Sequence, residues 1–544
     1  MRRARIHPLL AVSLIIAAVI GLPVANVFAH LFAGGTRATW AHLAATVLPD
    51  YLLNTVLLSL PVAVGVVIVG VATAWLTAMH DFPGRRLFEW SLILPMAMPA
   101  YVLAYVYTDF LQFAGPLQSA LREFFQWRKG DYWFPEVRSL GGAAGMFICV
   151  LYPYVYLLTR TAFLERASGM LEVSRTLGCG PWRSFFRVSL PLARPAIVAG
   201  TSLALMETLA DYGTVAYFGV PTFTTGIYRA WFSLGDRLAA AQLAATLLSC
   251  VMVLLLLERI WRGGARFNDT TGRHRRLVGH RLRGWRGGLA ALVCVLPLSL
   301  GFLLPAALLL RLVFDDVERP AAEHFLLLAR HSFLLAGLTA LLAVVLAVLL
   351  AYGARLSRGR LAPALNRLVG LGYAVPGSVI AVGVLIPVTQ LDHWLNHQWQ
   401  SWFGSNPGLI LTGGIAALVY AYLVRFLAVA LQSIGGSLGK ITANMDDAAR
   451  GMGLTPTATL RRVHLPMLRG SVFTAALLVF VDVMKELPAT LVMRPFDFDT
   501  LATQAYNLAA DERLAEAASV SLGIVAVGLL PMIVLSRQIA RSRR

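Results

Sequence analysis

Apolar stretches of about 20 residues recur along the whole chain, and this feature restricts its possible folds more than any other. Each stretch is long enough to cross the roughly 30 Å hydrocarbon core of a membrane as an α-helix. The chain has 544 residues, of which 58% are hydrophobic and 14% are charged, whereas a soluble protein carries about 25% charged residues. The sequence therefore predicts an all-α, polytopic membrane protein and argues against a large soluble helical protein.

Twelve membrane-spanning helices are predicted from these stretches, six in each half of the chain. They lie near residues 9–32, 54–79, 90–113, 141–163, 195–218, 239–261, 287–312, 332–354, 367–391, 408–432, 470–492 and 514–537. The first stretch follows a basic N-terminus, but it is longer than the roughly 7–15 apolar residues of a cleavable signal peptide. We therefore expect it to be retained as a membrane helix.

The basic residues indicate the orientation of the chain in the membrane. The net charge is +19, and most of the Lys and Arg residues lie in the segments between apolar stretches. With the N-terminus placed inside, about 31 of them lie inside and about 11 outside, and such an excess marks the cytoplasmic side. We therefore expect both termini to be cytoplasmic and no nucleic-acid partner. The four cysteines predict no structural disulfide, because three of them lie within apolar stretches.

Two loops, 164–194 and 433–470, share a pattern in which every matching pair of residues has the same separation along the chain. We call them the first and the second repeated loop. The constant separation equals the number of positions from Glu172 to Asp447, and we call it the repeat spacing. The matching residues are Glu172 and Asp447, Gly178 and Gly453, Leu190 and Leu465, and Pro191 and Pro466. The pattern predicts a tandem duplication into two parallel six-helix repeats, residues 1–265 and 266–544.

Each repeated loop is expected to fold as a short helix, a glycine turn and a second short helix, with Leu-Pro at the start of the next span. Glycine permits a tight turn because it has no Cβ atom. Proline suits the first turn of a helix, where its missing N–H is not needed.

The two loops resemble the EAA loop of binding-protein-dependent ABC importer permeases. That pattern is Glu-Ala-Ala, a glycine four residues later and a Leu-Pro ending. The first loop matches at Glu172, Gly178, Leu190 and Pro191, with Val173-Ser174 in place of Ala-Ala; the second matches at Ala448, Ala449, Gly453, Leu465 and Pro466, with Asp447 in place of Glu. The resemblance implies that the loop helix docks on an ATPase subunit through Glu172 and Asp447. The alternative is that both acids only stabilise a helix N-terminal turn.

The sequence contains no phosphate-binding loop. The segment nearest to the pattern G-x-x-x-x-G-K-[ST] ends in Gly439-Lys440-Ile441, where Ile441 replaces the required hydroxyl residue. The motifs of zinc peptidases and serine hydrolases are also absent. We therefore expect a transport subunit that is not an enzyme and binds no cofactor, with ATP and Mg²⁺ on a partner ATPase.

Four acidic residues lie inside predicted spans, where charged side chains are costly and commonly functional. They are Glu207 and Asp211, and, at the repeat spacing from them, Asp482 and Glu486. Residues four apart share a helix face, so the two pairs would form an acidic ring for a cation where the repeats meet. The alternative is that Lys485, arginines or backbone groups neutralise them.

The segment from Met206 to Trp231 suggests the cargo. It contains the runs Glu207-Thr-Leu-Ala-Asp-Tyr212 and Thr224-Thr-Gly-Ile-Tyr228, and it resembles the permease of bacterial ferric-iron importers. The resemblance implies Fe³⁺ transport, and carboxylates and tyrosines such as Tyr212 offer the oxygen ligands that hard cations prefer. Permeases for thiamine, phosphonate and polyamines share the architecture and stay alternatives. An ion-gradient-driven secondary transporter is a further alternative.

The same resemblance implies the surroundings of the protein. The expected fold is that of type I ABC importer permeases, in a bacterial inner membrane and in contact with lipid. The expected partners are two copies of a cytoplasmic ABC ATPase and a periplasmic or extracellular iron-binding protein.

Overall fold

The computed structural model of the protein describes residues 8–30, 37–176, 180–262, 280–315, 322–357 and 359–541. Nearly all of these residues lie in helices, in agreement with the predicted all-α class. The helices before residue 263 are α1 (Pro8–Ala29), α2 (Arg37–Thr46), α3 (Leu48–Met79), α4 (Arg85–Ser91), α5 (Ala100–Leu111), α6 (Pro116–Phe125), α7 (Leu140–Thr176), α8 (Pro181–Ser184), α9 (Leu190–Ala210), α10 (Gly213–Tyr217), α11 (Phe223–Tyr228) and α12 (Arg237–Arg262).

The second part of the chain is equally helical. The helices after residue 279 are α13 (Trp285–Leu298), α14 (Leu304–Asp315), α15 (Ala322–Leu356), α16 (Leu361–Gly370), α17 (Gly377–Phe403), α18 (Ala416–Leu438), α19 (Ala443–Gly451), α20 (Pro456–Thr459), α21 (Leu465–Met484), α22 (Pro488–Met493), α23 (Leu501–Ala510) and α24 (Leu514–Arg541). A single strand pair occurs in the described ranges, where β1 (His80–Asp81) runs parallel to β2 (His280–Arg281).

The number of membrane spans agrees with the prediction of about twelve. Among the described residues, 11 helices are long and apolar enough to cross a membrane. A bent helix pair raises the number to 12 if it is counted as one span.

The third predicted span, 90–113, is wrong as a single straight helix. In its place the segments Arg85–Ala97 and Ala100–Phe125 are bent by 91° relative to each other. Pro99 lies at the bend, and Met98 before it has an extended backbone (φ −92°, ψ 117°). A residue that precedes proline is driven out of the helical region, which explains the break.

The fifth span of each repeat also differs from the prediction. Spans were predicted at 195–218 and 470–492, but continuous helices run over Trp182–Ala210 and Pro456–Met484. Each helix begins earlier because the second short helix of the repeated loop continues into the span. Each ends earlier, and the short helix α10 or α22 follows the break.

By internal packing the chain divides into two compact units, each built from segments of both predicted halves. Unit 1 comprises Met1–Ala41, Ile227–Leu248 and Pro320–Gln504. Unit 2 comprises His42–Gly226, Ser249–Arg319 and Ala505–Arg544. The halves 1–265 and 266–544 describe the duplicated sequence, and that division stays a prediction.

Each unit has a core of three helices that pack on one another. In unit 2 these are α3, α7 and α9, and in unit 1 they are α15, α18 and α21. The contact between α7 and α9 depends on a small residue, because a Cβ atom on Gly200 would lie 2.7 Å from Val155 Cα. Small residues of this kind allow membrane helices to approach closely.

Candidate functional site

The first repeated loop starts as a direct continuation of a span. Helix α7 runs without interruption from Leu140 to Thr176 and carries Glu172 near its end. Gly178 and the side chain of Glu172 lie outside the part of the chain that the structure describes. Leu190 and Pro191 form the start of α9.

The second repeated loop is built differently, because its first helix is separate from the preceding span. Helix α18 ends at Leu438, and α19 begins at Ala443 and carries Asp447, Ala448 and Ala449. Gly453 follows with φ +78°, a left-handed conformation that glycine adopts without steric cost. The glycine turn expected from the sequence is therefore present in this loop.

One face of α19 is exposed and charged. The side chains of Asp447 and Arg450 are 69% and 63% exposed and lie 3.3 Å apart, while Ala448 is exposed and Ala449 is only 1% exposed. Met452, just after the helix, is 73% exposed. The matched acid therefore points into solvent, and the second of the two small residues packs into the unit.

The two Leu-Pro pairs were expected to begin the next spans. Each instead lies inside a longer continuous helix, Trp182–Ala210 or Pro456–Met484, and opens only its last regular α-helical part, α9 or α21. Wide π-type turns precede them at Phe185–Ser189 and Leu460–His464, which are related by the repeat spacing. Proline lacks an N–H and clashes with the carbonyl four residues earlier in a regular helix. The wide turn relieves this conflict, so Pro191 and Pro466 fit inside continuous helices; Leu465, like Leu190, is the residue at which the regular helix resumes.

The acids of the fifth spans do not share a helix face, which corrects the prediction. Helix α9 ends at Ala210, and Asp211 has an extended backbone (φ −69°, ψ 137°). Its carboxylate accepts hydrogen bonds from the backbone N–H groups of Thr214 and Val215 at 2.9 and 3.3 Å. Asp211 therefore caps the short helix α10, whose first N–H groups have no partner inside the helix.

Glu486 repeats this arrangement in unit 1. Its carboxylate accepts hydrogen bonds from the backbone N–H groups of Ala489 and Thr490 at 3.0 and 3.1 Å. These two residues correspond to Thr214 and Val215 at the repeat spacing. The repeated acid is therefore part of a repeated helix cap, which is the structural alternative that the sequence left open.

Arg425, inside α18, gives Glu486 an additional partner. The two side chains lie 3.5 Å apart and are 9% and 2% exposed. Sequence reasoning missed this arginine, although a charged residue inside the predicted span 408–432 was a signal that could have found it. A buried charge is tolerated in such a place when an opposite charge lies beside it.

The other candidate residues lie at the ends of the two fifth spans. Glu207 is half-buried in the last turn of α9, and Asp482 lies 3.0 Å from Lys485 in the last turn of α21. The ring of Tyr212 lies 5.8 Å from that of Tyr506, a residue that sequence reasoning did not single out. Glu207, Asp211 and Tyr212 belong to unit 2, and Asp482 and Glu486 belong to unit 1.

A further cluster in the second repeated loop was also missed. Arg355, in the last turn of α15, lies 2.8 Å from Asp446, which precedes the matched acid of α19. The other oxygen of Asp446 lies 2.7 Å from His464. Arg355 lies 91 positions from Asp446 in the sequence, and His464 lies 18 positions from it. No local periodicity therefore connects them.

Comparison with known proteins identifies the family. The model of the family "Binding-protein-dependent transport system inner membrane component" matches residues 65–261. The molybdenum transport system permease protein ModB of Escherichia coli is 31% identical over 196 residues, which cover 35% of this chain and 82% of that protein. The chain belongs to this family of binding-protein-dependent permeases.

Two relatives of this binding-protein-dependent permease match almost its whole length. The Fe(3+)-transport system permease protein FbpB 2 of Haemophilus influenzae is 26% identical over 95% of this chain and 96% of its own. The ferric transport system permease protein FbpB of Actinobacillus pleuropneumoniae is 21% identical over 97% of this chain and 77% of its own.

The family membership settles the broad class of the protein. It is a permease subunit of a transport system and a multi-pass inner membrane protein, as the sequence predicted. The alternative of an ion-gradient-driven secondary transporter is not favoured, because the members of this family work with a binding protein.

Proposed function

We propose that this chain is the membrane permease of an ABC importer that carries Fe³⁺ from a binding protein into the cytoplasm. The observation that supports the cargo is the similarity to ferric permeases over 95% of the chain. The molybdenum permease has a higher identity but aligns with only 35% of the chain, so it supports the family and not the substrate.

The proposed assembly contains two copies of a cytoplasmic ABC ATPase and one periplasmic or extracellular iron-binding protein. ATP and Mg²⁺ bind on the ATPase, and this chain binds no cofactor and no nucleic acid. Both termini are cytoplasmic in this proposal, because the Lys and Arg excess of the segments between spans then lies inside.

The repeated loops are the proposed sites of ATPase docking. The exposed face of α19, with Asp447 and Met452, is available to a partner, and Ala449 anchors the helix to unit 1. Glu172 occupies the matching position at the end of α7. Closure of the ATPase would move α7 and α19, and the helices α9 and α21 that follow would pass this movement into the membrane.

The residues at the helix breaks are the proposed transit path. The carboxylates of Asp211 and Glu486 are engaged in helix caps, so we assign them the role of holding the breaks open. Glu207, Asp482, which also pairs with Lys485, and Tyr212 are the proposed oxygen donors to a passing cation. Such donors suit Fe³⁺ because hard cations prefer oxygen ligands.

The test of the cargo is uptake by intact cells under iron limitation. Cells with and without the gene are supplied with radiolabelled ferric iron, and in parallel with labelled thiamine and molybdate. We expect loss of iron uptake alone, restored by the wild-type gene. Unchanged iron uptake with loss of thiamine or molybdate uptake would refute the iron assignment and leave the permease class intact.

A further inference from the structure

A break separates α18 from α19 in the second repeated loop, and the described part of the first repeated loop has no such break. Helix α18 ends at Leu438 and α19 begins at Ala443, whereas α7 continues from its span to Thr176. A continuous helix moves as one rod, so a push on its end reaches the span directly. A broken helix transmits the same push only if other bonds bridge the break.

Arg355 bridges this break from the neighbouring helix α15. Its guanidinium donates from Nη1 to the carbonyl oxygen of Leu438 at 2.7 Å and from Nη2 to that of Ile441 at 2.8 Å. Its Nε donates to Asp446 Oδ2 in α19 at 2.8 Å. Carbonyl groups at a helix C-terminus have no partner within the helix, and the planar guanidinium can hold several acceptors at once. One side chain thus joins the end of α18, the break and α19.

We call these bonds of Arg355 to Leu438, Ile441 and Asp446 the joint. Asp446 also connects the joint to the span that follows the loop. Its Oδ1 lies 2.7 Å from Nε2 of His464, and the His464 side chain is 1% exposed in the wide turn before α21. Tyr352, one turn before Arg355, donates its hydroxyl hydrogen to the carbonyl oxygen of Pro456 at 2.7 Å. Buried or half-buried polar groups therefore link α15 to α19 and to the start of the continuous helix Pro456–Met484, which contains α21.

The first repeat has different residues at the corresponding positions. At the repeat spacing, Arg355, Asp446 and His464 correspond to His80, Leu171 and Ser189. Leucine carries no charge, so a matching ion pair cannot form there. His80 instead lies in β1, paired with β2.

We infer that Arg355 is the positioning residue that makes the second repeated loop move as one rigid lever. In the first repeat, the continuous helix α7 supplies the same connection without a side-chain joint. The inference rests on the proposed docking of an ATPase on α19. Arg355 acts in this inference only through α19 and the break before it, by its bonds to Leu438, Ile441 and Asp446.

The test measures the amount of substrate imported per ATP hydrolysed, with the complete transporter in proteoliposomes. Arg355→Gln removes the charge and the branched guanidinium, and we expect this ratio to fall about 2-fold to 30-fold, the range for substitutions along a coupling network. Asp446→Asn should lower the ratio too, and the double variant should be no worse than Arg355→Gln alone, because both changes break one joint. Arg355→Lys, which restores a charge but not the planar group, should recover part of the ratio.

Two matched variants serve as controls. Arg360→Gln makes the same substitution at an exposed arginine five residues along the chain, and His80→Gln changes the corresponding position of the first repeat. Both should keep the wild-type ratio. A photo-activated cross-linker at Met452, which is 73% exposed, reports separately whether the ATPase docks beside α19.

The two measurements distinguish failure of the docking proposal from failure of the inference about Arg355. Absence of a cross-link from Met452 to the ATPase would overturn the docking proposal. A cross-link together with a wild-type ratio in Arg355→Gln would overturn the inference about the joint alone. If Arg355→Gln fails to assemble, Arg355→Lys and Asp446→Asn take its place, and wild-type ratios in both would overturn the inference equally.

Discussion

The two units cap the same helix break with the same bonds, but they surround it with different charges. In unit 1, the capping residue Glu486 also pairs with Arg425, a buried arginine 3.5 Å away. In unit 2, the capping residue is Asp211, and the position that corresponds to Arg425 is Val150. The backbone bonds of the cap are therefore common to both repeats, while the ion pair belongs to one.

Unit 2 places its own buried charges elsewhere. Glu89 of α4 lies 3.2 Å from Arg85 and 3.6 Å from Arg160 of α7. The residues that correspond to Glu89 and Arg160 in the second repeat are Ala364 and Gly435. The cap of the break after the fifth span is therefore present in both units, whereas the buried ion pairs lie at different positions beside the core helices of each unit.

The largest expected effect is at Glu486. Glu486→Ala removes the cap and leaves Arg425 buried without its partner, and breaking a buried pair costs about 3–5 kcal/mol. Asp211→Ala removes a cap alone, which costs about 0.5–2 kcal/mol. Thermal unfolding of the purified variants in detergent measures the difference. Equal midpoints for the two variants would show that the Arg425 pair contributes nothing.

The control for this prediction removes both charges at once. A double variant, Arg425→Met with Glu486→Gln, keeps a side-chain acceptor for α22 and leaves no unpaired charge. We expect it to be more stable than Glu486→Ala, because an apolar replacement of a buried pair is commonly neutral.

A second contrast concerns the close contact of the core helices. Gly200→Ala places a Cβ atom 2.7 Å from Val155 Cα, and overpacking of this kind costs about 1–3 kcal/mol. The corresponding residue of the second repeat is Ala475, which is fully buried, and Ala475→Gly should cost about 1 kcal/mol from helix propensity. Unfolding midpoints of the two variants check this. A stabilised Gly200→Ala protein would show that α7 and α9 are not in close contact.

A smaller effect is expected at the turn of the second repeated loop. Gly453 has φ +78° and no atom within 4 Å of an added Cβ, so Gly453→Val strains the backbone alone, by about 1–2 kcal/mol. We expect ATP hydrolysis to continue while transport falls, and more strongly when Gly178 is also replaced by a β-branched residue. Gly451→Val, in the same loop but within α19, is the matched control. Wild-type transport in the variant with both glycines replaced would contradict a coupling role for Gly178 and Gly453.

The smallest expected effect on stability is at Asp447. Its ion pair with Arg450 is exposed, and such pairs contribute about 0–1 kcal/mol. Asp447→Asn should therefore leave the unfolding midpoint unchanged, so that any loss of transport reports on a partner. Asp447→Glu restores the acid found at Glu172 and should keep wild-type transport. A large drop in the midpoint of Asp447→Asn would mean that the acid serves the fold and not the docking.

The sequence predicted those features that depend on local composition. Hydropathy identified the spans, and the turn at Gly453 followed from glycine between two short helices. The bend at Pro99 was missed because a hydropathy window averages over a break, although the proline itself marked it. The ends of α9 and α21 were misplaced because the short helices α10 and α22, which follow the two breaks, were counted as part of the preceding spans.

The roles of the charged residues were harder to predict because they depend on distant partners. Asp211 and Glu486 were found as repeated acids, but their capping role required knowledge of where each helix ends. Arg425 and Glu486 are brought together only by the packing of α18 beside α22. Arg355 and Asp446 are 91 residues apart, and no pattern in one sequence joins residues across that distance.

The most direct test of the account is ATP-dependent import by the purified transporter. The chain is reconstituted into proteoliposomes with its ATPase, and iron-loaded binding protein is added outside with radiolabelled Fe³⁺. We expect Fe³⁺ uptake that requires both ATP and the binding protein. We expect no uptake of labelled thiamine under the same conditions. Fe³⁺ uptake that continues without ATP hydrolysis and follows an ion gradient would contradict it.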